Sequence, residues 1–306
     1  MEQEDVSQWG IRVPREDAEE TRRTLLKEGV LDKSLKPRRD GDCIIFPVTG
    51  KRGDASMETF GAQPGREDLP RHELIGGIAV MQEKDVPAAE RLLHLRPSLH
   101  TVLYPVSDVE GEFRTRRFEV LAGVPETRTV YTEYGHRFII DLSAAYFSAR
   151  LSTERQRIFE QVQEGELVLD MFAGVGPFAI TVAKKAELVV AADINAGAVE
   201  LMVKNLALNR VKNVLPVLSD AGRLGRLLPW KFDRIIMNFP TGAWNFLPGA
   251  VSLCRAGGTI HCYALQSCEG EVLPVIRNLP GVTAVHEHYV RSYSPGRWHA
   301  VYDIVL

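Results

Sequence analysis

Glycines and polar residues suited to holding a small ligand follow four apolar runs in the second half of the chain. The first run leads into Asp170-Met-Phe-Ala-Gly-Val-Gly-Pro-Phe178, where Gly174 and Gly176 permit a tight turn and a close approach of a ligand to the backbone. The second run ends in Asp193, a carboxylate suited to the two hydroxyls of a ribose. The third and fourth runs end in Ser219-Asp220-Ala221 and in Asn238-Phe239-Pro240. Four such segments in succession indicate one shared site.

These segments come together if the chain folds as an open parallel sheet. From about residue 150, apolar runs alternate with helical patterns, in the rhythm of strands joined by crossover helices. In such a sheet, ligands bind beyond the carboxyl ends of the strands. The sequence therefore predicts a doubly wound α/β domain. Its strands are expected at residues 167–170, 189–193, 214–218, 234–237 and 259–263, with two more near 283–288 and 301–305.

Two cofactors are compatible with the glycine-rich loop. Gly174-x-Gly176-x-x-Ala179, with Asp193 nineteen residues after Gly174, also satisfies the dinucleotide fingerprint. The pyrophosphate of NAD would lie at the helix N-terminus, where Asp170 would repel it. S-adenosylmethionine has no phosphate and carries an ammonium group, which Asp170 would favour directly or through water. The pattern favours S-adenosylmethionine over NAD.

The Asn238-Phe239-Pro240 turn bears on the kind of reaction. A methyltransferase places a polar group after its fourth strand, beside substrate and donor, and Asn238 would take that place. Enzymes that methylate an exocyclic amino group typically have an aromatic residue after this turn, which stacks on a flipped base. Thr241 stands there instead, and this disfavours that class of substrate.

Composition excludes several classes of protein. The chain has 306 residues, 45% hydrophobic and 25% charged, the balance of a globular protein with two or three domains. Its apolar stretches are too short to span a bilayer and its acidic N-terminus does not resemble a signal peptide, so we expect a cytoplasmic protein. Four cysteines without a C-x-x-C spacing predict no disulfide scaffold and no metal site. A net charge of −3 means that nucleic acid would have to bind through local basic patches.

The chain before the α/β domain is expected to form two smaller units. Residues 1–50 contain a strand at 11–13, a helix that starts after Pro14 and ends near Gly29, and a β-run at 43–48. Residues 51–70 are rich in Gly, Pro, Asp and Arg without apolar periodicity, which predicts a linker. Residues 71–140 return to short elements, and residues 141–306 form the α/β domain. The elements expected in the second unit are a strand at 75–80, a helix at 86–95, a strand at 101–104 and a hairpin at 130–138.

The segment just before the first strand of the α/β domain contains a candidate base. In Tyr146-Phe-Ser-Ala-Arg-Leu-Ser-Thr-Glu-Arg155, the pair Ser152-Thr153 offers a helix cap close to Glu154. A carboxylate at a helix N-terminus often does no more than complement the helix dipole. By itself, Glu154 is therefore compatible with a structural role as well as with a catalytic one.

Together these motifs resemble the archaeal and eukaryotic tRNA (guanine-N1)-methyltransferases of the Trm-five type, which methylate the guanosine just 3′ of the anticodon, at tRNA position 37. The resemblance covers nearly the whole chain, and the string from residue 170 to 178 is its most specific part. It also rests on the segment from residue 146 to 155, on Ala192-Asp-Ile-Asn195, on Ile236-Met-Asn-Phe-Pro240 with Ala243-x-x-Phe-Leu247, and on Val109-Glu-Gly-Glu-Phe-Arg114 with Leu121-Ala-Gly123.

The resemblance implies the three-domain archaeal form of this family. Its fold would be α/β, with a class I, Rossmann-like S-adenosylmethionine-dependent methyltransferase domain after two smaller N-terminal α+β domains. The first small domain would contact the tRNA and the second would bind the RNA substrate. Candidate contacts with tRNA are Arg22, Arg23, Lys36, Arg38 and Arg39, together with Arg116, Arg117, Arg150 and Arg157.

The resemblance also implies roles for single residues. Guanine N1 carries a proton at neutral pH, so its methylation needs a general base and a group that stabilises charge developing on O6. Glu154 matches the family's base and Arg114 its O6-stabilising arginine, while Asn238 and Pro240 match the turn that positions the guanine. The enzyme would act as a monomer on tRNA, without a metal or an obligate protein partner. Its S-adenosylmethionine site would contain Arg155, Asp170, Phe172, Ala173, Gly174, Gly176, Phe178, Asp193, Ile194, Asp220, Ala221 and Asn238.

Several residues depart from the family pattern beside these positions. Ala149 and Ala196 stand where prolines are common, Phe239 where leucine is frequent, and Trp244-Asn245 where a His-Glu pair is usual. These departures leave the implied activity in place and loosen the detail of the site.

Four alternatives stay open. Wybutosine-pathway aminocarboxypropyl transferases typically carry Glu where Asp193 stands, and bifunctional enzymes that also methylate a tricyclic guanosine derivative usually have an aromatic residue where Thr241 stands. An NAD-dependent oxidoreductase and a catalytically silent RNA-binding protein are alternatives from other classes.

Overall fold

The computed structural model describes residues 5–61, 70–107 and 115–306. It divides the chain into two compact units, Met1–Leu69 and Pro70–Leu306. Among the residues described, no helix is both long and apolar enough to cross a membrane.

The first unit is an antiparallel sheet with one helix. Its strands are β1 (Asp5–Pro14), β2 (Arg38–Asp40), β3 (Cys43–Val48) and β4 (Ser56–Gly61), in the order β2-β3-β1-β4, and its helix is α1 (Ala18–Lys27). Leu25 of α1 belongs to one buried cluster with Phe46 and Val48 of β3, which explains the helical spacing of the apolar residues in α1.

Strand β4 lies inside the segment expected to be a linker, which corrects that expectation. It pairs with β1 along its whole length, and only Phe60 of its side chains is fully buried. A strand with one buried side chain leaves no periodic signal in the sequence. Gly10 of β1 admits this ring, because a Cβ at Gly10 would lie 2.9 Å from the Phe60 side chain.

The second unit begins with a mixed sheet that contains β5 (His72–Ile75), β6 (Ile78–Met81), β7 (Thr101–Pro105) and β8 (Phe118–Gly123) in that order. Helix α2 (Val86–Leu95) connects the parallel strands β6 and β7. Its first turn is capped by Asp85, whose side chain accepts a 2.9 Å hydrogen bond from the Ala88 amide. The helix predicted at 86–95 is confirmed.

The strand predicted at 75–80 is wrong, because the chain reverses at Gly76-Gly77 and pairs β5 with β6 as a hairpin. Gly76 has a φ of +57°, and a Cβ there would lie 2.4 Å from the Val130 carbonyl oxygen. The Gly77 amide donates a 2.8 Å hydrogen bond to the Thr129 hydroxyl. The turn is therefore fixed by a distant strand, which the local sequence does not reveal.

The predicted hairpin is present as β9 (Arg128–Glu133) and β10 (His136–Asp141). Its two-residue turn, Tyr134-Gly135, has positive φ at both positions, the geometry that matches the twist of paired strands. The hairpin is anchored by Asn205, which is fully buried and whose side chain bonds both the amide and the carbonyl of Ile139.

The rest of the second unit is a seven-stranded sheet with helices, which confirms the α/β class. Its strands are β11 (Leu167–Asp170), β12 (Leu188–Asp193), β13 (Val214–Leu218), β14 (Phe232–Met237), β15 (Cys254–Gln266), β16 (Ala284–Ser294) and β17 (Arg297–Val305); its helices are α3 (Ser152–Gln161), α4 (Pro177–Val182), α5 (Ala196–Leu208), α6 (Leu224–Leu227), α7 (Leu247–Leu253) and α8 (Leu273–Arg277). The order of the strands in the sheet is β13-β12-β11-β14-β15-β17-β16. Strands β11 to β15 are parallel, and β17 is antiparallel to both of its neighbours. Buried clusters lie against both faces, and the strand order reverses beside β11.

We expect Gly76→Ala to lower the free energy of unfolding by about 2–4 kcal/mol, because it adds a clash with backbone to the strain of a positive φ. Gly135→Ala is the matched control, since Gly135 has a φ of +82° with nothing within 4 Å of its Cβ position. It should cost about 1 kcal/mol from strain alone. Urea unfolding of both variants measures the difference, and equal losses would contradict the packing argument.

Candidate functional site

A cavity of about 1100 Å³, including open solvent at its mouth, lies at the carboxyl ends of β11, β12, β13 and β14. This is the switch point of the sheet, where ligands bind in open α/β folds. The four segments singled out in the sequence all contribute to its lining. Residues of the predicted cofactor site that line it are Arg155, Phe172, Ala173, Gly174, Phe178, Asp193, Ile194, Asp220, Ala221 and Asn238.

Asp193 organises the loop after β11. Its two carboxylate oxygens accept hydrogen bonds from the Gly174 amide at 2.7 Å and from the Asn195 amide at 2.9 Å. Burial raises the pKa of Asp193, and these backbone N–H groups act in the opposite direction. Each oxygen keeps a further lone pair, so the carboxylate can still accept hydrogen bonds from a ligand.

The two glycines of this loop have different reasons to be glycine. Gly174 has a φ of +56° and only the Tyr146 carbonyl oxygen, at 3.7 Å, near its missing Cβ, so it leaves open space at the cavity wall. Gly176 has a φ of +88° and is the N-cap of α4, and a Cβ there would lie 2.9 Å from the Met202 side chain of α5. Gly176 therefore permits close packing of helices and does not itself line the cavity, unlike Gly174.

Asp170 is fully buried at the end of β11 and is not among the described residues that line the cavity. The Phe172 amide donates a 3.4 Å hydrogen bond to Oδ1, whereas Oδ2 has no partner in the described part of the chain. Burial, together with the nearby charge of Asp193, raises the pKa of Asp170 to about 8. At neutral pH this carboxyl is mostly protonated, so it becomes charged readily only when a cation comes close.

Three phenylalanines in the lining of the cavity contact one another, a grouping that the sequence pattern does not reveal. Phe172 stacks on Phe239 with ring centroids 5.2 Å apart and meets Phe246 edge-on at 5.3 Å. Phe239 is the middle residue of the Asn-x-Pro turn, which places Asn238 in the cavity lining. A sequence signal for two of these rings is present, because Phe172 and Phe239 are each an apolar residue inside a polar segment that follows a strand.

The Asn-x-Pro turn is held by backbone hydrogen bonds. The Leu265 amide donates to the Pro240 carbonyl at 2.7 Å, and the Phe239 amide donates to the Met237 carbonyl at 3.0 Å. Pro240 is buried and is not among the described residues that line the cavity, so its contribution there is to shape the turn.

Glu154 lies in the first turn of α3 and is held by side chains rather than by the helix amides. Arg157 donates three hydrogen bonds to its carboxylate at 2.7–3.0 Å, and the Tyr263 hydroxyl donates another at 2.6 Å. Glu154 is 8% exposed and is not among the described residues that line the cavity. The alternative of a simple dipole complement does not account for partners drawn from β15.

Arg157 connects Glu154 to a chain of hydrogen-bonded side chains on β17, β15 and β14. Its guanidinium also bonds Asp303 of β17 at 2.7 Å, and Asp303 accepts a 2.6 Å hydrogen bond from Nδ1 of His261. Nε2 of His261 lies 2.8 Å from the Arg234 guanidinium and must accept a hydrogen bond from it, so Nε2 carries no proton and the imidazole is neutral. Burial accordingly lowers the pKa of His261. Burial opposes the charge on Asp303, but His261 and Arg157 outweigh it and hold the pKa of Asp303 well below its usual range.

Arg155, the residue after Glu154 in α3, pairs with Glu133 of β9. Two hydrogen bonds of 2.6 Å join the guanidinium to that carboxylate, and both groups are almost completely buried. The same guanidinium donates to the Ser148 carbonyl at 3.3 Å and lies over the Phe147 and Phe178 rings at 5.5 and 5.9 Å. Arg155 therefore joins the hairpin, α3 and the segment around Ser148 into one wall of the cavity.

Arg114, the remaining predicted catalytic residue, lies outside the described residues. Within the described ranges, no group of three or more His, Cys, Asp or Glu side chains could hold a metal ion.

We expect Arg155→Met to lower the free energy of unfolding by about 3–5 kcal/mol, because it leaves the Glu133 charge buried without a partner. The double variant Arg155→Met/Glu133→Leu should recover most of that loss, since it removes both charges from the interior. A double-mutant cycle in urea measures the coupling. Additive losses would mean that the two side chains stabilise the fold independently.

Two family models match the chain. Residues 129–280 match the TRM5/TYW2 methyltransferase domain, and residues 10–56 match the tRNA methyltransferase 5 N-terminal domain. The first match begins at the β9–β10 hairpin, consistent with the anchoring of this hairpin on α5.

Individual relatives match over almost the whole chain. The tRNA (guanine(37)-N(1))-methyltransferase Trm5b of Pyrococcus abyssi is 37% identical, over 96% of this chain and 97% of that protein. The crystal structure of that organism's Trm5b superposes with a TM-score of 0.76, at 34% identity, covering 97% of this chain and 99% of the other. A solved complex of aTrm5 with tRNALeu gives a TM-score of 0.73 at 27% identity, covering 98% and 100%.

A relative named for a wybutosine-pathway activity covers less of this chain. The tRNA(Phe) (4-demethylwyosine(37)-C(7)) aminocarboxypropyltransferase of Methanocaldococcus jannaschii is 29% identical over 76% of this chain and 96% of that protein. The full-length similarity is therefore to the guanine-N1 enzymes.

Proposed function

Because this chain belongs to the TRM5/TYW2 family of tRNA-modifying methyltransferases, we propose that it transfers the methyl group of S-adenosylmethionine to N1 of the guanosine at tRNA position 37. The observation that supports this most directly is the position of Asn238, in the lining of the same cavity as Asp193 and the glycine-rich loop. Donor site and base-positioning turn thus share one cavity. The similarity over the whole chain, including the N-terminal unit, favours this activity over the aminocarboxypropyl transfer.

The residues present fit S-adenosylmethionine. Asp193 has acceptor capacity for ribose hydroxyls, and Gly174 leaves open space at the wall. Oδ2 of Asp170, which has no hydrogen-bond partner among the described residues, lies buried at the start of the same loop, where a cationic ligand would favour its charged form. When bound, the cofactor supplies a methyl group on a positively charged sulfur. The family is S-adenosylmethionine-dependent, so NAD is not the cofactor.

Glu154 is proposed as the general base. The N1 proton of the guanine passes to its carboxylate while the methyl group bonds to N1 and leaves sulfur, so that the products are methylated guanosine, S-adenosylhomocysteine and a proton on the enzyme. Arg157 orients this carboxylate through three hydrogen bonds and is itself fixed by Asp303. Arg114 is proposed, from the family resemblance, to stabilise charge on O6.

We expect Glu154→Gln to lower the single-turnover rate of methyl transfer by about 10²–10⁴-fold, because the amide cannot accept the N1 proton. The dissociation constant for S-adenosylmethionine should stay unchanged, since Glu154 does not contribute to the cavity lining as described. The assay uses unmodified tRNA transcript and a labelled methyl group, with the nucleosides resolved by mass spectrometry.

The control for this assay is a transcript with adenosine in place of the target guanosine, which should accept no label. A methylguanosine substituted at a position other than N1, or an aminocarboxypropyl adduct, would overturn the proposed reaction. A fully active Glu154→Gln enzyme would remove Glu154 from the role of base and leave the reaction itself in place.

The raised pKa of Asp170 predicts that affinity for S-adenosylmethionine increases between pH 5.5 and 7.5. The cationic ligand favours the charged carboxylate, which is a minor form below a pKa of about 8 and grows by up to about tenfold per pH unit. Titration calorimetry of the wild type and of Asp170→Asn measures this, and the variant should bind more weakly with no such increase. Adenosine, which has no ammonium or sulfonium group, is the control ligand and should show no such increase with either protein. A pH-independent affinity in the wild type would contradict the role of Asp170.

A further inference from the structure

A second cavity of about 1490 Å³, including open solvent, adjoins the first, and none of the residues proposed to hold the cofactor is among its described lining residues. The two cavities share Tyr146, Phe147 and Ser148 as lining residues. The lining of the second cavity also includes Arg116, just before β8, and Arg291 and Tyr293 of β16. A group bound in the second cavity would therefore be separated from the first cavity only by this shared segment.

Two arginines in this cavity have buried N–H groups without partners. The Nε atoms of Arg116 and Arg291 are inaccessible to solvent and have no hydrogen-bond partner among the residues that the structure describes. A third arginine of the lining, Arg150, is paired with Glu73 at 2.9 Å. Buried donors are nearly always satisfied in folded proteins, so these two indicate an acceptor supplied by a ligand. A guanidinium is best matched by a phosphate or a carboxylate.

Tyr293 adds an aromatic surface to the same wall. Its ring stacks on His299, with centroids 5.3 Å apart and planes 21° apart, and His299 is buried. Tyr293 itself remains 50% exposed, so one face of the ring is supported by protein while part of the side chain stays accessible. Such a pre-oriented ring suits the stacking of a nucleobase.

The geometry of β16 directs these side chains. The strand lies at the edge of the seven-stranded sheet and pairs only with β17 among the described strands. Its register shifts between Tyr289 and Arg291 and again between Ser292 and Ser294. Bulges change the direction in which side chains point, and they also prevent a further strand from pairing with the edge of the sheet. Here they flank Arg291, which lies in the lining of the second cavity.

We propose that β16 binds the single-stranded RNA next to the target guanosine: Arg291 and Arg116 hold the phosphate of a neighbouring nucleotide, and Tyr293 stacks on its base. This inference rests on the proposed function for the identity of the RNA. Guanidinium groups with an aromatic platform are the combination by which unpaired nucleotides are recognised. A free dinucleotide cofactor or an acidic peptide would also supply an anion for the two arginines. Neither is covalently joined to the target guanosine, so neither would be brought to this cavity by binding of the substrate.

The first test measures binding of tRNA to Arg291→Ala, with no methyl transfer required. We expect weaker binding and a salt dependence, log K against log salt, reduced by about 1, because one phosphate contact is lost. Arg297→Ala is the matched control: this arginine is exposed on the partner strand β17 and is not among the described residues lining the cavity. An unchanged affinity and slope in Arg291→Ala, or the same loss in Arg297→Ala, would overturn the proposal.

The second test asks whether Tyr293 contacts a base. Tyr293→Ala should weaken binding by about tenfold or more, whereas Tyr293→Phe should bind as the wild type does. Transcripts with an abasic site immediately 5′ or immediately 3′ of the target should show the same loss with the wild type at one of these positions. On that transcript Tyr293→Ala should cost nothing further. Additive losses on both transcripts would rule out stacking on a neighbouring base.

Two further measurements separate a failed inference from a failed function or fold. Melting temperature and affinity for S-adenosylmethionine should be unchanged in all variants, which shows that the fold and the cofactor cavity are intact. If the wild type binds tRNA with these sensitivities but methylates no guanosine, the proposed function fails and the RNA-binding edge stands. If methylation proceeds normally in Arg291→Ala and Tyr293→Ala at limiting tRNA, the edge has no role in substrate binding.

Discussion

The antiparallel pairing of β17 with β15 is the interaction on which both candidate sites depend. It runs from Thr259 opposite Val305 to Gln266 opposite Trp298 and places β17 between the parallel part of the sheet and β16. This pairing brings Asp303 within hydrogen-bond distance of Arg157 in α3. The same insertion carries β16 to the edge of the sheet, beside the second cavity. The orientation of Glu154 by Arg157 and the proposed RNA-binding edge thus follow from one strand insertion.

The wall between the two cavities is held in place by a buried ion pair. The segment from Tyr146 to Ser148 lines both cavities, and the Ser148 carbonyl is bonded by Arg155, whose charge is balanced by Glu133 in the hairpin. A hairpin that precedes the α/β sheet in sequence is therefore part of the catalytic domain in structure. Loss of the pair would disturb both cavities together, because they share this wall.

The distribution of unsatisfied groups points to the same region. Among the described residues, Oδ2 of Asp170, Nε of Arg116 and Nε of Arg291 are buried side-chain atoms without a hydrogen-bond partner. Asp170 is the last residue of β11, at the start of the glycine-rich loop, and the two arginines line the second cavity beside Tyr293. Folded proteins rarely leave such groups unpaired away from functional sites. A chain close to electrical neutrality can bind RNA when basic side chains are concentrated at one site, as Arg116 and Arg291 are in the lining of the second cavity.

The sequence by itself determined the α/β class, the strand ends and most of the lining of the first cavity, because alternating apolar runs and glycine-rich turns are local signals. Asp193 and Asn238 lie where their strand-end positions predicted. Only the tertiary structure decided which groups those residues meet. The Gly76 turn depends on β9, strand β4 depends on pairing with β1, and Arg155 proved to be a buried ion-pair partner as well as part of the cavity lining. The second cavity is built from segments far apart in the chain, and contacts of that kind leave no periodic pattern in any one of them.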